Sequence, residues 1–520
     1  MQKIAVCASC CLGVLLSLAN SAGADALDEI RQRGTLVWGA DQEGGGPYIF
    51  PRKDDPTQIQ GFEVELADLL AKRLGVRAQF AQGQWEKLPD LMDRGDIDIV
   101  LNGYEWTESR AQRYDTTIPY YLYELQLLGR KNDQTLVPLD ELRKQPGRAK
   151  KRVAVLGGSA AQLYLEEHFV NEVEIVLFEG NTDAMRATEL AADGLDATLQ
   201  DLPIVTFYES GFPALQRVGD PVGFGYYVVL VRKGETRLLR TLNEAIEGCL
   251  RDGSLRQILE RYALWNLTQA RRGLETDGSG CFTGGGLKAA EPEEPTQGYS
   301  AERGWEVVRT RGPLLLKAAW MTVRLSVLAM PLAILIGLMV AIGRQYGPAL
   351  LSRPLTLYVE LVRGTPLVLQ LFVIFFLLPE LGISIHAFWA AILGLAINYS
   401  AYEAEIYRAG LQAIPRGQME AALALGMSRA LALRRVIVPQ AIRIVIPPVA
   451  NDFIALFKDT AVCSVITVVE LSKEYYIHRN NTGATVELGL VTALLYMIMS
   501  YPLSLLTRRL EQRLAPERRT

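Results

Sequence analysis

At 520 residues, with 54 Lys and Arg against 58 Asp and Glu, the chain exceeds one ordinary domain and lacks the basic excess that nucleic acid demands. Its three histidines and scattered cysteines are too sparse for a Cys/His metal site or a histidine-based catalytic centre. No G-x-x-x-x-G-K-[ST] occurs, so the chain encodes no P-loop.

Residues 1–24 carry Lys3, an apolar run from Cys11 to Leu16, and Ala22-Gly23-Ala24. This is the layout of a cleaved secretory signal. A membrane anchor is the alternative, but about a dozen apolar residues fall short of a bilayer core of ~30 Å. Cleavage after Ala24 removes Cys7, Cys10 and Cys11 and exports the chain from Asp25 on.

Residues 25–265 alternate strand-like and helix-like patterns. Thr35–Gly39 reads as a buried strand, Gly61–Leu74 as an amphipathic helix, Asp96–Leu101 as a strand, and Arg152–Leu156 as the opening of a second α/β unit. From Asn266 to Arg303 the pattern dissolves into Gly, Pro and charge, a flexible tether. Cys249 and Cys281 either bridge, pinning the tether, or stay free with Cys249 buried in its helix.

Beyond the tether, apolar stretches near 314–342, 355–378, 386–407, 441–469 and 484–506 are each long enough to span a membrane. The first and third loops between them hold Arg344, Arg353, Arg416, Arg429, Arg434 and Arg435, and the tail holds Arg508, Arg509, Arg513, Arg518 and Arg519. The positive-inside bias therefore predicts an external amino end and a cytoplasmic tail. Asn398, Glu403, Glu405, Asn451, Asp452, Lys458 and Asp459 are costly in lipid and are expected to face the pathway, a partner subunit or a loop end.

The third loop reads Glu420-Ala421-Ala422, three residues, Gly426, nine residues, then Val436-Ile437-Val438-Pro439. It resembles the EAA-x3-G-x9-I-x-L-P loop by which permease subunits of ABC importers grip their ATPase. The segments 358–379 and 397–418 also resemble polar-amino-acid permeases. In the same way residues 25–265 resemble the periplasmic amino-acid-binding proteins, through GFEVELADLLAKRLG (61–75), GDIDIVLNGYEWTESR (95–110), RVAVLGGSAAQ (152–162) and GLDATLQDLP (194–203).

The resemblance implies a two-lobed α/β binding-protein fold over 25–265, a tether over 266–305 and an all-α transmembrane permease domain over 306–520. The lobes are expected to cross at Tyr121–Lys131 and Gly223–Gly234. The resemblance also gives roles to residues. Arg110, after Thr107-Glu108-Ser109, grips the ligand α-carboxylate, and Thr107 belongs to the same turn. Ser159 adds donors at a helix start, Asp201 takes the ammonium, and Trp85 packs on the aliphatic part.

Two departures stand out. Glu105 occupies a place where the family has Ser or Thr, and Gly44-Gly45-Gly46 lacks an expected aromatic before Pro47-Tyr48. Asp41, Glu43 and Glu105 together make the cleft acidic and favour a polar or basic ligand, or else they are solvated turn acids. Glu420, Ala421, Ala422 and Gly426 form the coupling knob, a helix begun after Pro415 and broken near Gly426.

The implied function is amino-acid uptake across the inner membrane, with no catalysis and no cofactor on this chain. Its partners are a cytoplasmic ABC ATPase, a second permease copy or related permease, and the amino-acid ligand. A ligand-gated channel also pairs such lobes with membrane helices, but it inserts its pore between lobe segments. A periplasmic enzyme built on such lobes needs a positioned catalytic Glu or Ser motif.

Overall fold

The computed structural model describes residues 26–133, 135–139, 150–169, 171–272, 299 and 302–514. The expected signal, most of the tether and Cys281 lie outside the described residues. The chain groups into two compact units. One takes the chain up to Asp41 with Gly46–Ile49 and Gln60–Gly298; the other takes Gln42–Gly45, Phe50–Ile59 and the chain from Tyr299 on.

The first unit contains two sheets. Strands β1 (Thr35–Ala40), β4 (Arg77–Gln82), β5 (Ile99–Val100), β6 (Asp115–Thr116) and β13 (Leu230–Val231) pair in the order β4-β1-β5-β13-β6. Strand β1 runs parallel to both its neighbours. Buried parallel strands are covered on both faces, and helices supply the cover. Helix Phe62–Leu74 does so with Phe62, Leu66, Leu70 and Leu74 on one buried face. Glu63 and Glu65 in its first turn and Lys72 and Arg73 in its last match the helix dipole. The strands β2 (Phe50–Pro51) and β3 (Ile59–Gln60) pair as a two-stranded sheet at the ends of the segment Phe50–Ile59, which groups with the second unit.

The second sheet contains β7 (Tyr121–Arg130), β8 (Lys151–Leu156), β9 (Val173–Phe178), β10 (Ala197–Asp201) and β11 (Leu215–Arg217) in the order β11-β7-β10-β8-β9, with β12 (Val222–Tyr227) also on β7. This is the two-lobed α/β architecture expected from sequence. The first crossing falls earlier than expected, because all of β7 lies in the second sheet; the chain changes sheets between β6 and β7, and again between β12 and β13. The two connections are tied together: Thr117 N–H donates to Val229 O at 3.0 Å, and Tyr120 N–H to Tyr227 O at 3.0 Å.

Helix Leu267–Arg272, where the tether was expected to open, is docked on β7. Thr268 Oγ1 donates to Glu124 Oε2 at 2.8 Å, and Leu122 N–H donates to Gln269 Oε1 at 3.3 Å.

The second unit is helical. Trp305–Tyr346 packs against Ala387–Gln412 at Gly337, where an added Cβ would come 2.6 Å from Glu403 Cβ. Only glycine permits that approach, the device of small residues at membrane helix contacts. Glu405 then joins Arg344 at 2.5 Å and Arg408 at 2.6 Å. Asp459 accepts from Tyr399 at 2.7 Å, and Asn398 donates to Gln370 at 3.3 Å.

Among the described residues, Trp305–Tyr346 and Thr485–Leu510 are long and apolar enough to cross a membrane. Ala349–Gly364 with Leu367–Leu381, bent by 111°, makes a third if counted as one span. The other two expected stretches are helices interrupted by charge. Ala387–Gln412 carries Glu403, Glu405 and Arg408, while Val438–Asp459 carries Arg443, Asp452 and Lys458 and passes into a tighter turn at Thr460–Ile466.

Candidate functional site

The loop after β5 is shaped to hold one guanidinium. Thr107 caps helix Glu108–Arg113, its Oγ1 accepting the Arg110 N–H at 3.3 Å. With its backbone held in the first turn, Arg110 folds back over the loop. Its Nη1 donates to Glu105 O at 2.9 Å and to Glu105 Oε2 at 2.7 Å, and Nη2 donates to Gly158 O at 3.3 Å. The guanidinium carbon lies 5.0 Å from the Tyr104 ring centre and 5.4 Å from that of Trp85. Those rings are stacked at 4.8 Å. Burial opposes the Arg110 charge, but the Glu105 carboxylate outweighs it and holds the guanidinium pKa above its usual value.

Trp85 is fixed from both sides. Its Nε1 donates to Asn102 O at 2.9 Å and its N–H to Asp41 Oδ2 at 3.1 Å. The other oxygen of Asp41 accepts from Gln82 Nε2 at 2.7 Å, and the Asp41 N–H donates to Asn102 Oδ1 at 2.8 Å. Buried Asp41 thus joins the end of β1 to the Trp85 turn, with each carboxylate oxygen facing a donor of its own chain.

The second lobe contributes a helix start. Gly158 at φ +73° makes the left-handed turn, and Ser159 caps helix Ala160–His168, its Oγ accepting from Gln162 N–H at 3.4 Å and donating to Leu156 O at 2.7 Å. The next amide, Ala160 N–H, donates to Glu105 Oε1 at 3.0 Å.

Asp201 ends β10 ahead of helix Leu202–Tyr208 and does not cap it with its side chain. It accepts from the Tyr227 hydroxyl. The Tyr227 ring is stacked against Tyr123 at 4.9 Å and Tyr121 at 5.6 Å. Tyr123 is buried where the charges of Glu105, Asp201 and Arg110 all reach its hydroxyl.

Of the residues expected from sequence, Arg110, Thr107, Glu105, Trp85 and Ser159 come together around one guanidinium and one helix start. Asp201 stands across from them, close enough for Glu105 to raise its pKa. Of the acids expected to line the cleft, Glu105 is on Arg110, Asp41 is bonded to Gln82 and Trp85, and Glu43 falls in the segment that groups with the second unit. Sequence reasoning missed Tyr104, Tyr48 and Tyr227. Little in the sequence marks them, because a tyrosine's partner is set by the fold: Tyr104 meets Trp85, Tyr48 meets Tyr227, and Tyr227 meets Asp201.

The expected knob lies in the second unit. Helix Arg416–Ala424 begins directly after Pro415, with Glu420 and Ala421 exposed and Ala422 buried. It ends in a Schellman turn: Gly426 at φ +79° donates to Leu423 O at 2.9 Å, and Met427 N–H donates to Ala422 O at 3.2 Å. Ser428 then caps Arg429–Ala432. At the apex Leu425 is 80% exposed, with Leu423 and Leu431 exposed beside it.

Residues 333–516 match the family described as binding-protein-dependent transport system inner membrane component. Residues 38–264 match the bacterial extracellular solute-binding proteins, family 3. The L-cystine transport system permease protein TcyB of Bacillus subtilis (strain 168) is 36% identical over 212 residues, 40% of this chain and 91% of that protein. The glutamine transport system permease protein GlnP of Escherichia coli (strain K12) is also 36% identical over 212 residues, 40% of this chain and 97% of that protein. Among solved structures, an ancestral arginine-binding protein bound to arginine is 25% identical, with a TM-score of 0.40, 44% of this chain and 98% of that one being covered.

Proposed function

The chain belongs to the binding-protein-dependent transport system inner membrane components, with a family 3 solute-binding part fused ahead of the permease part, and from that premise we propose that it captures and admits amino acids with polar or basic side chains. The observation that carries this reading is the cleft itself. Arg110 and the amides at the start of Ala160–His168 suit an α-carboxylate, and buried Asp201 suits an ammonium. Half-buried Trp85, backed by the stacked ring of Tyr104, offers a face for the carbon between them. The neighbouring Glu105 favours a neutral or cationic side chain over an acidic one.

The working division is a signal over 1–24, a binding part over 25–265 that the docked helix Leu267–Arg272 extends, a tether from there to 305 and a permease part over 306–520. Arginine-rich loops and tail put the carboxyl end in the cytoplasm and the lobes outside. The permease part is half a pore and pairs with a second copy or a related permease. ATP is hydrolysed on a separate subunit, gripped by the knob around Glu420, Ala421, Ala422 and Gly426, whose exposed leucines fit helix-in-groove docking.

The test is calorimetric titration of the full-length chain in lipid nanodiscs with the common amino acids, alongside Arg110→Ala. Micromolar binding of at least one polar or basic amino acid, lost in Arg110→Ala, is expected. Failure of every amino acid to bind would sink the reading.

A further inference from the structure

The donors proposed above for a ligand carboxylate already hold one. Glu105 is 2% exposed, and its two oxygens take different donors: Oε2 accepts from Arg110 Nη1 at 2.7 Å, and Oε1 accepts from Ala160 N–H at 3.0 Å. Those donors come from opposite lobes, one from the turn after β5 and one from the start of Ala160–His168. A guanidinium and a free helix amide are what an α-carboxylate seeks. We propose that Glu105 is a tethered occupant of the ligand's carboxylate position, and that its displacement by the ligand sets which amino acids the cleft accepts. This rests on the amino-acid reading above.

The physical consequence is an exchange in place of a gain. A ligand carboxylate entering the cleft must take Arg110 and the Ala160 amide from an acid that already uses both. One charge-assisted pair replaces another, so the carboxylate adds little net affinity. The displaced Glu105 remains next to the ligand, in a cleft whose other acid is Asp201. A cationic side chain on the ligand satisfies the freed acid, a neutral one leaves it unpaired, and an acidic one adds repulsion. Glu105 therefore discriminates at the side chain, although it rests at the carboxylate position.

The experiment uses the full-length chain in nanodiscs as wild type, Glu105→Gln and Glu105→Ser. Glutamine keeps the shape and an acceptor for Ala160 N–H, which guards against loss of fold; serine removes both. The probes are L-arginine, L-glutamine, L-glutamate and agmatine, which is arginine without its carboxylate. Both substitutions are expected to tighten glutamine at least tenfold and glutamate by more than arginine, with no tightening of agmatine. Glutamine affinity within twofold of wild type in both variants overturns the inference while leaving the amino-acid reading in place. So does agmatine tightening as much as arginine, because that reports a general change in the pocket. No amino acid binding to any of the three chains overturns both.

Discussion

The hydroxyls of Tyr48 and Tyr227 meet at 2.7 Å, and Tyr227 passes its proton's hydrogen bond on to the carboxylate of Asp201. Three side chains far apart in sequence thus make a buried relay ending on the proposed ammonium partner. Burial, then the charge of Glu105, raises the Asp201 pKa to about 8. In the empty cleft this carboxyl therefore holds a proton at neutral pH, and an ammonium arriving beside it drives the proton off. Binding should tighten as pH rises from 6 to 8, with about one proton released per ligand near pH 6.5. Calorimetry in two buffers of different ionisation enthalpy measures this release. None in wild type, or an equal release in Asp201→Asn, would show that the ammonium sits elsewhere.

Arg110 should dominate the other end of the ligand. Arg110→Ala strips the guanidinium from ligand and Glu105 alike, so the bound cleft holds two carboxylates with no cation between them, and that repulsion should cost about 2–5 kcal/mol of binding. Arg110→Lys should recover only part, because a point charge does not reproduce the planar fork. Thr107→Ala acts one step back. It removes the oxygen that caps Glu108–Arg113, costing about 1 kcal/mol of local stability, and should weaken binding less than Arg110→Ala. Affinity within twofold of wild type for Arg110→Ala would show that the ligand does not engage Arg110.

Much of this was readable before the fold. Period-two and period-3.6 patterns gave the α/β lobes, and the spacing from Glu420 to Pro439 gave the knob with its break at Gly426. The roles expected of Arg110, Ser159 and Asp201 came from the resemblance of short motifs to the binding-protein family, and each of these residues is held by its own turn or strand end. Asp41 and Glu105 were less legible. An acidic residue in a turn gives no sign of which donor it will meet, and the Asp41 partners Gln82 and Trp85 arrive only when β4 pairs with β1. Glu105 reaches Ala160 across two lobes, a contact that no local pattern encodes.

Glu63 offers a pH test of the framework behind the cleft. It is fully buried under the loop that carries Glu105; Oε1 accepts from Gly103 N–H at 2.7 Å and from the Tyr120 hydroxyl. Burial raises its pKa from 4.5 to about 7, although both hydrogen bonds pull the other way. The folded state thus holds a proton that the unfolded chain gives up at lower pH. The resulting stabilisation is complete below pH 4.5 and is lost as pH rises through 7, a swing of roughly 3 kcal/mol. Hydrogen exchange across residues 99–105 should therefore be slower at pH 5 than at pH 8 once the intrinsic rate is corrected. Glu63→Gln should abolish that difference; an undiminished difference in the variant would place the titrating group elsewhere.

The knob can be tested apart from the cleft. Gly426 holds φ +79° with open space where a Cβ would stand, so the strain of a substitution is purely that of the backbone. Gly426→Ala should cost about 1 kcal/mol in that turn, shifting the apex that presents Leu425. Leu425→Asp leaves the turn intact and charges the exposed apex, while Glu420→Lys reverses the charge on the helix before it. In proteoliposomes containing the full chain and its ATPase, both of these variants should lower ATP-driven uptake at least tenfold, and Gly426→Ala by less. Ligand affinity of the same chains should stay within twofold of wild type, because the lobes are untouched. Wild-type uptake by stably inserted Leu425→Asp and Glu420→Lys chains would move the ATPase contact away from this loop; a parallel loss of ligand affinity would mean that the substitutions act through folding instead.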